Sequence, residues 1–157
     1  MFKNIVLHWT AGNYKPSAVD LLHYHYVVDK DGMVHTGKYS PNDNLNCTDG
    51  RYAAHCGGGN TGRIGIAIAC RKDVRTQPTQ KQVEAFCNLA AQLCTVYGLQ
   101  PKDCITHAEF GQANPKTSSR GKIDINSIPY AKISGIKTTG DYLRNKIQWY
   151  YERWKET

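Results

Sequence analysis

The chain has 157 residues and a formal net charge of +7, from 20 Lys and Arg against 13 Asp and Glu. That length suits one domain with a sizeable core, and the sequence holds no internal repeat, no low-complexity linker and no apolar run long enough to span a bilayer. The surplus positive charge favours anionic partners such as nucleic acid, lipopolysaccharide or anionic wall polymers, without choosing among them.

The start, MFKNIVLHWTAG, has one lysine and a three-residue apolar run. This is too short for the apolar region of a signal peptide, so synthesis in a cytosol without an export signal is expected. KNIVLHW reads as a short buried strand, with Ile5, Val6 and Leu7 leading to His8. SAVDLL is a short helix with Ser17 as its N-cap. HYHYVVDKDGMVHTGK reads as a hairpin whose turn is Asp29-Lys30-Asp31-Gly32. If its first strand begins at His23, then His23 and His25 share one face, about 7 Å apart, and Tyr24 takes the other. Two nitrogens so spaced do not meet on one metal unless the strand bends, so a metal site must recruit histidines from elsewhere; His23 and His25, facing away from Tyr24, are read as structural, and His35 takes the same reading.

Residues 39–62 form a long loop rich in Gly, Asn and Asp, a type of segment that often carries function. RIGIAIACR alternates Ile64, Ile66 and Ile68 with Gly65, Ala67 and Ala69, as in a central strand with a small-residue face for a closely packed helix. TQKQVEAFCNLAAQLCTVYG is the clearest helix, with a Thr79–Gln82 capping box, an apolar stripe from Val83 to Tyr97, and Gly98 at its end. CITH is a short strand ending at His107, and a loop over 108–128 comes after it. GDYLRNKIQWYYERWKE is an amphipathic helix, with residues 138–157 as a C-terminal helical segment. The alternation of strands and helices gives an α/β class: a single domain over 1–157, with a central mixed sheet flanked by helices.

Six cysteines, Cys47, Cys56, Cys70, Cys87, Cys94 and Cys104, include no C-x-x-C pair. A cysteine-only zinc site is therefore disfavoured, and in a reducing cytosol most of the thiols are expected in the core. His8 and His107 each come directly after a short apolar strand, and α/β sheets collect their sites outside the carboxyl ends of strands. On neighbouring strands the two imidazoles converge, with a Cys, Asp or Glu open as third ligand.

The segments IVLHWTAG, HYHYVVDKDGMVH, AAHCGGGNTGRIGIAIAC and THAEF…RGKIDI occur in an order that resembles the type 2 N-acetylmuramoyl-L-alanine amidases, over about residues 4 to 130. This zinc-dependent family is shared by phage endolysins and peptidoglycan recognition proteins. The resemblance implies Zn2+ on His8, His107 and Asp124, with the site at the carboxyl ends of the strands. Tyr24 matches the tyrosine beside the zinc, and Lys122 the lysine facing the scissile carbonyl. His55 matches a histidine lining the cleft. Glu109, in a place where some relatives also have glutamate, is either a base or a hydrogen-bond partner of a metal-bound imidazole. Arg63 is a candidate contact for a peptide carboxylate, and the basic loop 112–121 a candidate wall of the cleft.

The activity implied by the resemblance is hydrolysis of the amide between N-acetylmuramic acid and L-alanine in peptidoglycan. The implied setting is a monomeric phage endolysin, released from the host cytoplasm to act in the periplasm. The alternatives are a cytosolic amidase recycling anhydro-muropeptides, or a non-catalytic peptidoglycan-binding module of the same fold. No nucleic-acid motif accompanies the charge. The last helix, with Arg144, Lys146, Arg153 and Lys155 among Tyr and Trp residues, is either a contact to an anionic outer membrane or an ordinary packing helix.

Overall fold

The computed structural model describes all 157 residues. Four strands form the parallel part of a sheet: β1 (Asn4–Trp9), β2 (Tyr26–Val28), β4 (Arg63–Ile68) and β5 (Cys104–Thr106). With β3 (Val34–Thr36) antiparallel to β2 they make a five-stranded mixed sheet in the order β3-β2-β4-β1-β5. The chain is thus a single α/β domain.

Period-two patterning decides the two faces. Ile5, Leu7, Ile64, Ile66 and Ile68 join one large core with α2 (Gln80–Tyr97) and α4 (Ile136–Lys155), which supply Phe86, Leu93, Leu143 and Ile147. Each fully buried side chain of this size contributes about 1.5–3 kcal/mol. The opposite face is covered by α1 (Ala18–His23) and α3 (His107–Ala113): Val6 packs on Cys56 and Phe110, and Val27, Ala67 and Ala69 pack beneath Leu21 and Tyr24. Gly65 on this face receives an imidazole ring, that of His55, where a helix was expected.

Helix α2 begins at the Thr79–Gln82 capping box and ends at Gly98, whose φ of 70° lies in the left-handed region that favours glycine. Gln82 does more than cap. Its fully buried amide donates to the carbonyls of Val28, at 3.2 Å, and Ala69, at 2.8 Å, tying the helix to the ends of β2 and β4.

Three expectations change. His23 closes α1, held there by the Ser17–Asp20 capping box, and β2 starts only at Tyr26. Strand parity therefore does not orient His23 and Tyr24. His25 is nevertheless structural: it is fully buried between Asn44 and the backbone N–H of Gly65. His35 bonds Asp29 within the hairpin at 2.8 Å. The segment expected as a loop over 108–128 opens with α3, and ends in β6 (Ser127–Ile128), which pairs with β7 (Ile133–Ser134). The last helix starts at Ile136, two residues before the expected segment.

All six cysteines are free, and five are buried. No helix is long and apolar enough to cross a membrane.

Candidate metal centre and cleft

Strands β1 and β5 are parallel neighbours with Leu7 beside Thr106. One step further along each chain lie His8 and His107, whose ring centroids are 4.6 Å apart. His107 is also the first residue of α3, where Thr106 and Glu109 form a capping box. Asp124 arrives from the loop after α3, and its carbonyl accepts the N–H of Ala108 at 2.6 Å. Its carboxylate faces both rings, at 3.0 Å from His8 Nδ1 and 3.3 Å from His107 Nδ1. All three residues are buried, and one ligand atom from each lies within 4.8 Å of the others.

The hydrogen bonds behind the rings assign their protons. His55 Nε2 faces the carbonyl of Arg63 at 3.2 Å, an acceptor only, so Nε2 carries the hydrogen. His55 is buried with no carboxylate in contact, which keeps it neutral, and its Nδ1 is an acceptor. His8 Nε2–H must then donate to it, at 3.0 Å. Ser119 Oγ donates its one hydrogen to the carbonyl of Gly57 at 2.7 Å, so it accepts from His107 Nε2–H at 2.9 Å. In these tautomers both Nδ1 lone pairs point at the Asp124 carboxylate. Three acceptors around one point repel unless a cation or a proton lies among them. The donor set, two imidazoles and one carboxylate, is that of a catalytic zinc site with room for a fourth ligand.

The electrostatics agree. Burial, outweighing the interaction with the Asp124 carboxylate, lowers the pKa of His8, and burial beside His8 and His25 holds that of His55 well below its ordinary value. Burial opposes ionisation of Asp124, yet its interactions with the facing imidazoles of His107 and His8 hold its carboxyl below the usual carboxylate range. For His107 burial is likewise outweighed by the bond to Asp124, and its pKa rises to about 9. The cluster thus accommodates one positive charge, which a proton on His107 supplies when no cation is bound.

His55, His107 and Asp124 line a cleft of about 560 Å³ together with Trp9, Thr10, Tyr24, Lys122 and Ile123, and His8 is buried beside them. The Tyr24 ring is 5.1 Å from that of His8. Burial, followed by the negative charges of Asp124 and Asp20, pushes its phenol pKa up, so it stays a donor. Exposed Lys122 adds a positive charge at the rim. His23, read from the sequence as structural, lines this cleft and bonds the Ala54 carbonyl at 2.9 Å.

Arg63 and Glu109 do not join the cleft. Arg63 stands at the opposite, N-terminal end of β4, where it donates to Asn4 Oδ1 at 2.9 Å and stacks over Phe110. Glu109 turns towards α4 and takes both guanidinium nitrogens of Arg144, at 2.7 and 2.8 Å. In the loop 112–121, Gly121 lines the cleft, whereas the basic Lys116 and Arg120 do not. That loop contributes instead the buried Ser119. No sequence signal marks Ser119, because its role depends on two partners brought to it by folding.

Residues 2–122 match the family model for N-acetylmuramoyl-L-alanine amidase. No curated protein matches the chain by sequence. Among solved structures, the Staphylococcus aureus hydrolase AmiA is similar over 96% of this chain and 73% of its own, with a TM-score of 0.67 and 18% identity. PlyL is similar over 94% of this chain and 84% of its own, at a TM-score of 0.55 and 16% identity. The Ph2119 endolysin, from a Thermus scotoductus MAT2119 bacteriophage, is similar over 69% of this chain and 72% of its own, at a TM-score of 0.51 and 22% identity.

Proposed function

The chain belongs to the N-acetylmuramoyl-L-alanine amidase family, and we propose from that premise that it is a zinc-dependent hydrolase cutting the amide between N-acetylmuramic acid and L-alanine. The observation that carries the zinc reading is the arrangement of His8, His107 and Asp124: buried, with both Nδ1 lone pairs and a carboxylate aimed at one point. When bound, zinc supplies Lewis-acid polarisation of a carbonyl and brings the acidity of water near neutral.

The protein's own groups do the rest. His8, His107 and Asp124 would hold the metal, three ligands being the protein's share of a catalytic zinc site. Tyr24, kept protonated by burial, donates a hydrogen bond to the oxyanion that develops on the amide. Lys122 adds a mobile positive charge for the same oxygen. Trp9 and Ile123 give the cleft apolar walls, which strengthen these interactions by reducing water around them.

The proposed setting is that of a phage endolysin. The test measures amino groups freed from purified sacculi, with and without a chelator and with zinc returned. Zinc-dependent release supports the amidase. Binding to sacculi without release supports a recognition module instead, and activity confined to soluble anhydro-muropeptides supports a recycling enzyme.

A further inference from the structure

His55 has no nitrogen left for a substrate. Its Nδ1 is taken by His8 at 3.0 Å and its Nε2 by the Arg63 carbonyl at 3.2 Å. Only 6% of the residue is exposed. Its backbone is pinned as well, since Asn60 Oδ1 accepts the N–H groups of both His55, at 2.9 Å, and Cys56, at 2.7 Å. Room for the ring depends on Gly65, where an added Cβ would lie 2.3 Å from His55 Cγ. Ser119 is built in the same manner behind His107. It is fully buried and its hydroxyl is anchored on the Gly57 carbonyl. Gly111 lets α3 approach its backbone, since a Cβ there would lie 2.2 Å from the Ser119 carbonyl oxygen.

We infer that His55 and Ser119 are positioning residues that lock His8 and His107 in the Nε2–H tautomer, so that both Nδ1 lone pairs are presented to the metal. This rests on the zinc reading above. Each lock has two links: an acceptor for the imidazole N–H, and a backbone carbonyl that fixes the acceptor's own proton. Arg63 serves through its carbonyl oxygen, and its guanidinium has no part. Partners of this kind set both the ring orientation and the tautomer of a metal-binding histidine.

The two ends of the His55 ring make the inference separable. His55→Asn can place an acceptor oxygen where Nδ1 was, and so keeps the bond from His8. His55→Gln reaches the Nε2 position, keeps the link to the Arg63 carbonyl and loses the acceptor. The experiment titrates zinc into each metal-free protein against a chromophoric chelator at constant pH, with thermal unfolding as the control for folding. The expected result is that His55→Gln and Ser119→Ala bind zinc roughly 10 to 100 times more weakly. His55→Asn stays close to the parent protein, and zinc-saturated His55→Gln keeps the parent KM for muropeptide. If His55→Gln does not fold, Ser119→Ala, which removes one hydroxyl, carries the test. Unchanged zinc affinity in both weakened variants, or equal loss in His55→Asn and His55→Gln, overturns the positioning role. A raised KM with unchanged affinity makes His55 a substrate contact. Failure of the parent protein to take up zinc removes the zinc reading and this inference with it, and that titration alone shows it.

Discussion

Replacing Glu109 with alanine separates a stabilising clamp from a group that takes part in the reaction. The carboxylate receives two charged hydrogen bonds from Arg144, at 2.7 and 2.8 Å, and also caps α3 by accepting the Thr106 N–H at 2.9 Å. Both side chains of the pair are about one-fifth exposed. An exposed pair is worth about 0–1 kcal/mol, whereas removing one partner of a fully buried pair costs about 3–5 kcal/mol. Here the guanidinium is not orphaned, because Asp141 at 3.0 Å and the Cys104 carbonyl at 3.1 Å remain. The ion pair therefore contributes about 1.5–2 kcal/mol, and the lost cap adds about 0.5–1 kcal/mol. A total of about 2–3 kcal/mol lowers the melting temperature by roughly 5–10 °C in a chain of this size. The assay is thermal unfolding beside amidase activity of the zinc-saturated protein at a temperature where both forms are folded. The expected result is a lower melting temperature with kcat retained. An unchanged melting temperature with kcat lost would refute the clamp and make Glu109 a participant in the chemistry.

Phe86→Ala empties the centre of the main core, and a loss of about 3–5 kcal/mol is expected in urea unfolding. Thr79→Ala removes the α2 cap and costs about 1 kcal/mol by the same measurement. Burial opposes ionisation of Glu84, but hydrogen bonds from Lys146 and Tyr150 outweigh it and lower its pKa below 4.5. Its contribution is therefore fully present above pH 4.5 and is lost as pH falls through the lower folded value. The stability gap between the parent and Glu84→Gln should accordingly close on acidification from pH 6 to pH 3; a gap constant over that range contradicts it. On α4, Lys137 is engaged by Asp141, Arg144 by Glu109, Lys146 by Glu84 and Arg153, which also stacks on Trp149, by Glu152 at 3.7 Å, leaving Lys155 as its one basic group without a carboxylate partner. The helix is thereby read as a packing element, and a Trp149→Ser, Arg153→Ser, Lys155→Ser protein should lyse intact cells as fast as the parent. Slower lysis at equal activity on purified sacculi restores the membrane contact.

Elements whose signals lie within a few residues are legible in the sequence. The alternation in RIGIAIA, the Thr79–Gln82 box with its apolar stripe, and the Ser17 cap each act over one or two turns, and each produces the expected element. Helix α3 carries the same kind of signal, since Thr106-His107-Ala108-Glu109 spells a capping box. That signal is obscured because a glutamate two residues from a candidate metal ligand suggests chemistry before it suggests a cap. His23 is misplaced for a related reason: a strand pattern beginning at Tyr26 extends too easily into the end of α1.

The sequence by itself determined the α/β class, the strand ends that carry His8 and His107, and the likeness that selects Asp124, Tyr24 and Lys122. Only the tertiary structure decided which of these meet. The parallel register of β1 and β5 sets His8 beside His107, and residues 47 and 12 positions away, His55 and Ser119, fix where their protons point. It also carried Arg63 and Glu109 away from the cleft, into contacts with Phe110 and Arg144. Proton placement and side-chain direction depend on partners distant along the chain, and such partners leave no period or spacing for a sequence to display.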